Sequence, residues 1–341
     1  MTEINDILNH FQKLNVLIVG DVMIDRYMYG RVNRISPEAP VPVVELQKQE
    51  DRLGGAANVA LNIKALGATP YLYSFVGLDT EGGVFQELLS DLGLPTQGII
   101  PSSERVSTVK TRIMAGTHQM LRVDSETTTD LSEALEREFL KKIRGLLDST
   151  HIHVIIFQDY NKGVLTLNII KAVMSEAIKR GIPTVVDPKK KHFLDYQHAT
   201  IFKPNLKEIR EAVPFEVKAD LVSLQKAADY LRSHLNHACT MITLSEKGIF
   251  CEGNLEKKSS SKALSEMNNG QIYPTKTRNI TDVSGAGDTV VSVAALGLAS
   301  SLNKDTIAVL SNLAGGQVCE TAGVVPVNLQ LLAKEFDNIF S

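Results

Sequence analysis

Asn279-Ile280-Thr281-Asp282-Val283-Ser284-Gly285-Ala286-Gly287-Asp288-Thr289 leads from a strand-like end through Gly-Ala-Gly into apolar Val290, Val291, Val293, Ala294, Ala295 and Leu296. A small-residue turn that opens a helix leaves the first-turn N–H groups without intrahelical acceptors. Together with the positive end of the helix dipole, those groups form an anion site. Asp288 stands at its mouth, where a bound anion would repel it. That placement suits a carboxylate facing an oxygen that attacks a phosphate. The same residues also read as a plain strand-to-helix turn with Asp288 as its cap, and short glycine motifs often match by chance.

Around this turn the chain alternates β and α signals. Val16-Leu-Ile-Val19 is a short continuous apolar run, the pattern of a strand buried on both faces in a parallel sheet. Asp21 and Asp25 follow it, at the strand end where open α/β sheets place their ligands. From residue 131 onward the alternation repeats, with strands at Val154–Phe157, Thr184–Val186, Ile201–Phe202 and Cys239–Leu244. Each ends in polar residues: Gln158 to Gly163, Asp187-Pro-Lys189, Lys203-Pro-Asn205 through Glu208, and Ser245 to Gly248. Helices are expected at 4–14, 82–92, 131–147, 167–180, 221–235, 305–320 and 328–339. The fold class is α/β, a three-layer arrangement with a mostly parallel central sheet flanked by helices.

Two stretches break the pattern. In residues 27–47, Pro37, Pro40 and Pro42 exclude a helix, while Val41, Val43, Val44 and Leu46 have strand character. Residues 106–124 alternate around Val109, Thr111, Ile113, Met120 and Val123 with a turn near Gly116. The two can pair into a small sheet over the site, or be ordinary surface hairpins. Between them, Leu53-Gly-Gly-Ala-Ala-Asn58 is a second glycine-rich helix entrance; Gly54 and Gly55 permit close backbone approach and Asn58 can donate to a hydroxyl. A polar stretch at Gly253–Gly270 reads as a loop inside a hairpin. No linker or internal repeat divides residues 1–341, so one domain with a β extension is expected.

The usual P-loop and dinucleotide signatures are absent. Asn205 and Glu208, three apart at a helix start, can hold a hydrated Mg2+ from one side, although Glu208 can equally complement a helix N-terminus. Arg34, Lys110, Arg112, Arg122, Lys162 and Lys189 are cationic candidates for a phosphate-bearing substrate. At net charge −3 with scattered basic residues, nothing favours nucleic acid. Cys239, Cys251 and Cys319 are too few for a disulfide framework or a zinc site, and neither His151/His153 nor His234/His237 has a third ligand. No run is long enough to span a bilayer and no signal peptide opens the chain, so a cytoplasmic setting is expected.

Gly54-Gly-Ala-Ala-Asn58, Asn205-x-x-Glu208 and Asp282-Val-Ser-Gly-Ala-Gly-Asp288, in this order, resemble the ribokinase-like carbohydrate kinases over about residues 16–327. Gly20-Asp-Val-Met-Ile-Asp-Arg-Tyr27, Arg34 through Val43, Asp159-Tyr-Asn-Lys-Gly163 and Asp187-Pro-Lys189 look like the D-glycero-β-D-manno-heptose 7-phosphate kinases of that family. The resemblance implies ATP-dependent phosphorylation of the anomeric 1-hydroxyl to the 1,7-bisphosphate, in ADP-heptose and lipopolysaccharide core synthesis. It implies Asp288 as base with Gly285, Ala286 and Gly287 as anion hole. Asn205 and Glu208 would lie near Mg2+, and a monovalent cation such as K+ is left open. Asp21, Asp25, Gly54, Gly55, Asn58, Lys110, Arg112, Lys162 and Lys189 would be on the substrate side. Asn205, Ser245, Lys247, Gly248, Asp282, Gly285, Gly287 and Asn312 would be on the nucleotide side. The β extension would be a lid, with paired lids making a homodimer.

Two departures stand out: Val283 replaces the usual threonine, and the polar loop Gly253–Gly270 is longer than the resemblance leads one to expect. The His-x-Gly-His motif of a C-terminal nucleotidyltransferase is also absent, so a kinase working with a separate adenylyltransferase is expected. Another sugar or sugar phosphate as acceptor stays open. A non-catalytic binder on the same scaffold is disfavoured by the intact Asp288, Gly-Ala-Gly and Asn205/Glu208 set.

Overall fold

The computed structural model describes residues 2–116, 118–255 and 270–340. Its strands are β1 (Asn15–Gly20), β2 (Val22–Ile35), β3 (Pro42–Gly55), β4 (Thr69–Gly77), β5 (Ile99–Ser102), β6 (Val109–Ala115), β7 (His118–Ser125), β8 (Val154–Gln158), β9 (Thr184–Asp187), β10 (Ile201–Phe202), β11 (Cys239–Thr243), β12 (Ile249–Gly253) and β13 (Gln271–Tyr273). The α-helices are α1 (Thr2–Phe11), α2 (Ala56–Ala65), α3 (Thr80–Asp91), α4 (Glu133–Ser149), α5 (Leu167–Arg180), α6 (Leu206–Ala212), α7 (Leu221–Leu235), α8 (Ala286–Ala299), α9 (Lys304–Val318) and α10 (Leu329–Phe340).

A nine-stranded sheet runs β13-β12-β11-β10-β9-β8-β1-β4-β5. It is parallel from β11 to β5, and β12 and β13 add an antiparallel edge. Alternation along each central strand feeds two cores. Val16 and Ile18 of β1 and Val154 and Ile156 of β8 pack with α1, α2, α3, α8, α9 and α10. Leu17, Val19, Ile155 and Phe157 pack on the other face with α4, α5, α6 and α7. The three expected layers are present, and the continuous apolar runs are explained by burial on both faces.

Local chemistry fixes most helix ends. Thr166 caps α5 by accepting from Ile169 N–H, and Gly181 closes it in the left-handed region at φ 66°. Ser132 caps α4, which moves its start to Glu133 from the expected residue 131. β5 has no counterpart in the sequence reading, because its Ile-Ile-Pro-Ser is too short to show a period.

A second sheet, β3-β2-β6-β7, stands over the carboxyl ends of the large one. It is longer than the 27–47 and 106–124 segments expected: β2 starts at Val22, and β3 runs to Gly55, paired Val22↔Gly55. The charged residues Asp25, Arg26, Asp51 and Arg52 hid this strand pair, because they are turned toward the site and neighbouring polar groups. β12 pairs antiparallel with β13; residues 256–269, where most of the expected Gly253–Gly270 loop falls, lie outside the described residues. No helix among the described residues is long and apolar enough to cross a membrane.

Candidate active site

Parallel pairing sets Gly20, Gln158 and Asp187 level at one sheet edge. The residues just beyond this edge, with the start of α8, build the site. Gly285 is the N-cap of α8 at φ 80°, and no side chain caps that helix end. A Cβ at Gly285 would lie 2.8 Å from Asn58 Nδ2, so both the turn and its neighbour require glycine. The first-turn N–H groups are therefore presented without a side-chain acceptor.

Asp288, in the first turn of α8, is 3% exposed. Its Oδ2 accepts from Asn58 Nδ2 at 2.8 Å, and its Oδ1 accepts from Gln158 Nε2 at 3.0 Å and from the Tyr160 hydroxyl at 2.8 Å. Burial pushes its pKa up to about 6, opposed by the Asn58 and Tyr160 hydrogen bonds. A base poised near neutrality is what proton removal from a hydroxyl asks for. Gln158 Nε2 also reaches Asp187 Oδ2 at 3.2 Å, so one amide ties two carboxylates together.

Behind Gly287 lies a buried pair: Lys203, 2% exposed, meets Asp187 Oδ2 at 3.0 Å. A Cβ on Gly287 would lie 3.9 Å from Lys203 Nζ, so this ammonium borders the anion hole. Gln158, Tyr160 and Lys203 were not singled out from sequence. Gln158 and Lys203 directly follow the apolar part of β8 and β10, and Tyr160 lies two residues further on, within the Asp159–Gly163 motif.

Asn205 and Glu208 form a reciprocal capping box: Glu208 N–H donates to Asn205 Oδ1 at 2.9 Å, and Asn205 N–H to Glu208 Oε2 at 2.8 Å. Lys189 Nζ bridges Glu208 Oε1 at 2.5 Å and Asp187 Oδ1 at 3.3 Å. Lys189 thus sits on the Asn205/Glu208 side, held by carboxylates, rather than standing free for a substrate phosphate. The donors Asn205, Glu208 and Asp187 are hard oxygens that fit Mg2+ addressed through its waters. Direct ligation by Glu208 would displace Lys189 or open the capping box.

Asp21 differs from its expected place as a substrate ligand. At 1% exposure it accepts three backbone N–H groups, from Tyr160 at 2.8 Å, Lys162 at 3.1 Å and Val164 at 3.1 Å. Three of its roughly four acceptor sites are taken by the loop that follows β8, and Oδ1 keeps one. Lys162 Nζ is paired with Glu126 at 2.7 Å.

The small sheet turns one face to the site. Asp25↔Lys110, Tyr27↔Arg112 and Asp25↔Arg52 are register partners and share that face. Arg112 bonds Asp25 Oδ1 at 2.6 Å, and a Cβ on Gly54 would fall 2.2 Å from Asp25 Oδ2. Asp25, Gly54, Gly55, Asn58, Lys110 and Arg112 therefore lie on the same side of the site as Asp288. Lys110 has no carboxylate within ion-pair range among the described residues; its Nζ lies 5.5 Å from the Tyr160 ring centroid. Burial, with Lys162 nearby, lowers its pKa. Arg122 turns to Asp124 and Arg34 is exposed, so neither joins the pocket.

On the other side, Asn205 bridges to Thr243, next to the Ser245–Lys247 turn and Gly248. Asn312 Nδ2 donates to the Tyr273 and Pro274 carbonyls at 3.2 and 2.9 Å. Asp282 accepts from Ser284 and Gly323 N–H, each at 2.9 Å, and these bonds hold its pKa down against burial. Val283 is 68% exposed, so the hydroxyl it lacks does not face the buried Asp288 cluster. A cavity of about 990 Å³ opens where His153, Thr184, Thr200 and Leu298 meet, at the opposite sheet edge, and contains none of these groups.

A model of the pfkB family of carbohydrate kinases matches residues 13–330. The bifunctional protein HldE of Magnetococcus marinus is 39% identical over 326 residues, covering 94% of this chain and 64% of its own length. The HldE of Citrifermentans bemidjiense is 37% identical over 334 residues, with 98% and 65% covered. The chain thus spans somewhat less than two thirds of these relatives. Among solved structures, phosphofructokinase-2 from Escherichia coli in complex with potassium superposes with TM-score 0.75 at 17% identity, covering 95% of this chain and 99% of that one. Arabidopsis thaliana ribokinase complexed with ribose and ATP gives 0.70 at 15%, covering 94% and 98%. The match over residues 13–330, on a sheet and helix arrangement shared with these structures, establishes that the chain belongs to the pfkB family of carbohydrate kinases.

Proposed function

We propose that this sugar kinase transfers the γ-phosphoryl group of ATP to O1 of D-glycero-β-D-manno-heptose 7-phosphate, as a step toward ADP-heptose. The observation that carries the reaction is Asp288, buried and held by Asn58, Gln158 and Tyr160 at the start of an uncapped helix. In this reading the acceptor hydroxyl donates to Asp288, and the phosphoryl group lies against the Gly285–Gly287 N–H groups beside Lys203. Asn205 and Glu208 would hold hydrated Mg2+, which supplies charge neutralisation on the phosphates when bound. Asp25, Gly54 and Asn58 would contact the sugar, and Ser245, Lys247, Gly248, Asp282 and Asn312 would edge the nucleotide.

The heptose assignment rests on the Gly20–Tyr27, Asp159–Gly163 and Asp187–Lys189 motifs, and similarity to proteins named HldE supports it. Lys110 is best suited to the substrate phosphate, because it is half-buried in the pocket with no carboxylate in ion-pair range among the described residues. Release of ADP across a panel of C6 and C7 sugars and sugar phosphates tests this. Heptose 7-phosphate should give the highest kcat/KM; a non-phosphorylated sugar or a hexose phosphate in first place would overturn the assignment. The outward face of the small sheet, with exposed Leu121 and Val123, supports a homodimer packed through the lids.

A further inference from the structure

The two oxygens of Asp288 are held unequally. Oδ1 accepts twice, from Gln158 Nε2 at 3.0 Å and Tyr160 OH at 2.8 Å; Oδ2 accepts from Asn58 Nδ2 at 2.8 Å. An ionised carboxylate offers about four lone-pair sites, two per oxygen. Oδ1 is therefore filled, and Oδ2 keeps one site for a further donor.

Tyr160 owes its position to the loop after β8. Asn161 and Gly163 turn it through the left-handed region, at φ 55° and 84°. Asp21 then clamps it through the N–H groups of Tyr160, Lys162 and Val164. Asp159 adds a bond to Asn161 N–H at 2.7 Å and accepts from the Tyr196 hydroxyl at 2.8 Å. Two buried carboxylates thus anchor a loop whose outermost aromatic residue reaches the base. Lys110 and Lys189 lie 5.5 and 5.3 Å from its ring centroid.

Resting on the kinase reading above, we propose that Tyr160 is a positioning residue: its hydroxyl, delivered by the loop that Asp21 anchors, fills Oδ1 of Asp288 and directs proton uptake to Oδ2. In the step, the acceptor O–H bond breaks and its proton passes to Oδ2. The acceptor oxygen bonds to the γ-phosphorus, and the bond from that phosphorus to the bridging oxygen of ADP breaks. Asp288 then returns the proton to water. Burial keeps the Tyr160 phenol protonated, so it remains a donor throughout. Asp187 and Lys203 also face Asp288, and Asp25 faces Tyr160; the test leaves these groups in place.

The experiment compares wild type with Tyr160→Phe, following the Asp288 carboxyl by infrared difference titration with Asp288→Asn as the subtraction control. The readout needs no acceptor, so it stands even if heptose 7-phosphate is not the substrate. Loss of a donor to a carboxylate disfavours the ionised form, and the titration should move up by about one pH unit. The acid limb of the kcat/KM profile should move with it, with kcat/KM down about tenfold below pH 5 and about twofold at pH 7, and KM for ATP unchanged. A 3-fluorotyrosine at 160, a stronger donor, should move the titration the opposite way. An unmoved titration in both variants, or a loss of kcat equal at every pH, overturns the proposal.

Discussion

At Asp288, burial and hydrogen bonding oppose each other, and burial prevails, with the pKa pushed up to about 6. A base must be ionised to take a proton, so kcat/KM should fall about tenfold per pH unit below that value and level off above it. A profile flat down to pH 4.5 would remove Asp288 from the base role. Arg112 gives a different signature. Its guanidinium bonds Asp25 beside the glycine pair, so Arg112→Ala should raise KM for the sugar substrate with a smaller change in kcat. An unchanged KM would take it out of the pocket. Asp288, Gly285 and Asn58 were legible in the sequence because their spacing marks glycine-rich helix entrances. Tyr160, Gln158 and Lys203 were not, since their roles depend on the register that brings β1, β8, β9 and β10 level. Asp21 was assigned to substrate because a carboxylate after a strand looks alike whether it faces a ligand or three loop amides.

Among the elements, the small sheet is the clearest case of partial legibility. Its strand character at Val41–Leu46 and around Ile113 showed in the sequence, but Val22–Arg26 and Asp51–Gly55 did not, because charged side chains interrupt the apolar pattern. Those charges are used. Arg26 forks onto Asp51 at 2.7 and 2.8 Å and reaches Glu81 at 3.1 and 2.6 Å, fixing the base of β2 and β3 to α3. The Arg26 side chain is 15% exposed, between a surface pair and a buried one. Arg26→Ala should lower unfolding stability by about 2 kcal/mol, read from urea denaturation. A loss near zero would mean that the anchor contributes no more than a surface pair. Asn205 and Glu208 show the same ambiguity at a helix start: the capping box is the reading that the geometry displays, and Mg2+ would be met through water beside it.

At the scale of the whole molecule, β/α order, strand burial and the layered arrangement were readable because two-sided burial leaves continuous apolar runs. Association was readable only as an expectation from resemblance. Thr111↔Val123 and Ile113↔Leu121 place apolar side chains on the outer face of the small sheet, where Leu121 is 56% and Val123 50% exposed. If the lids pair, Leu121→Lys with Val123→Lys should convert a dimer to a monomer in sedimentation velocity; an unchanged sedimentation coefficient would exclude this face. The central claim, that the chain is a sugar kinase using Asp288 as its base, is tested most directly by ADP release from wild type and Asp288→Asn in the presence of heptose 7-phosphate. The account predicts acceptor-dependent ADP release by wild type and a loss of about 10²- to 10⁴-fold in the variant at unchanged thermal midpoint. Turnover by Asp288→Asn at the wild-type rate would contradict it.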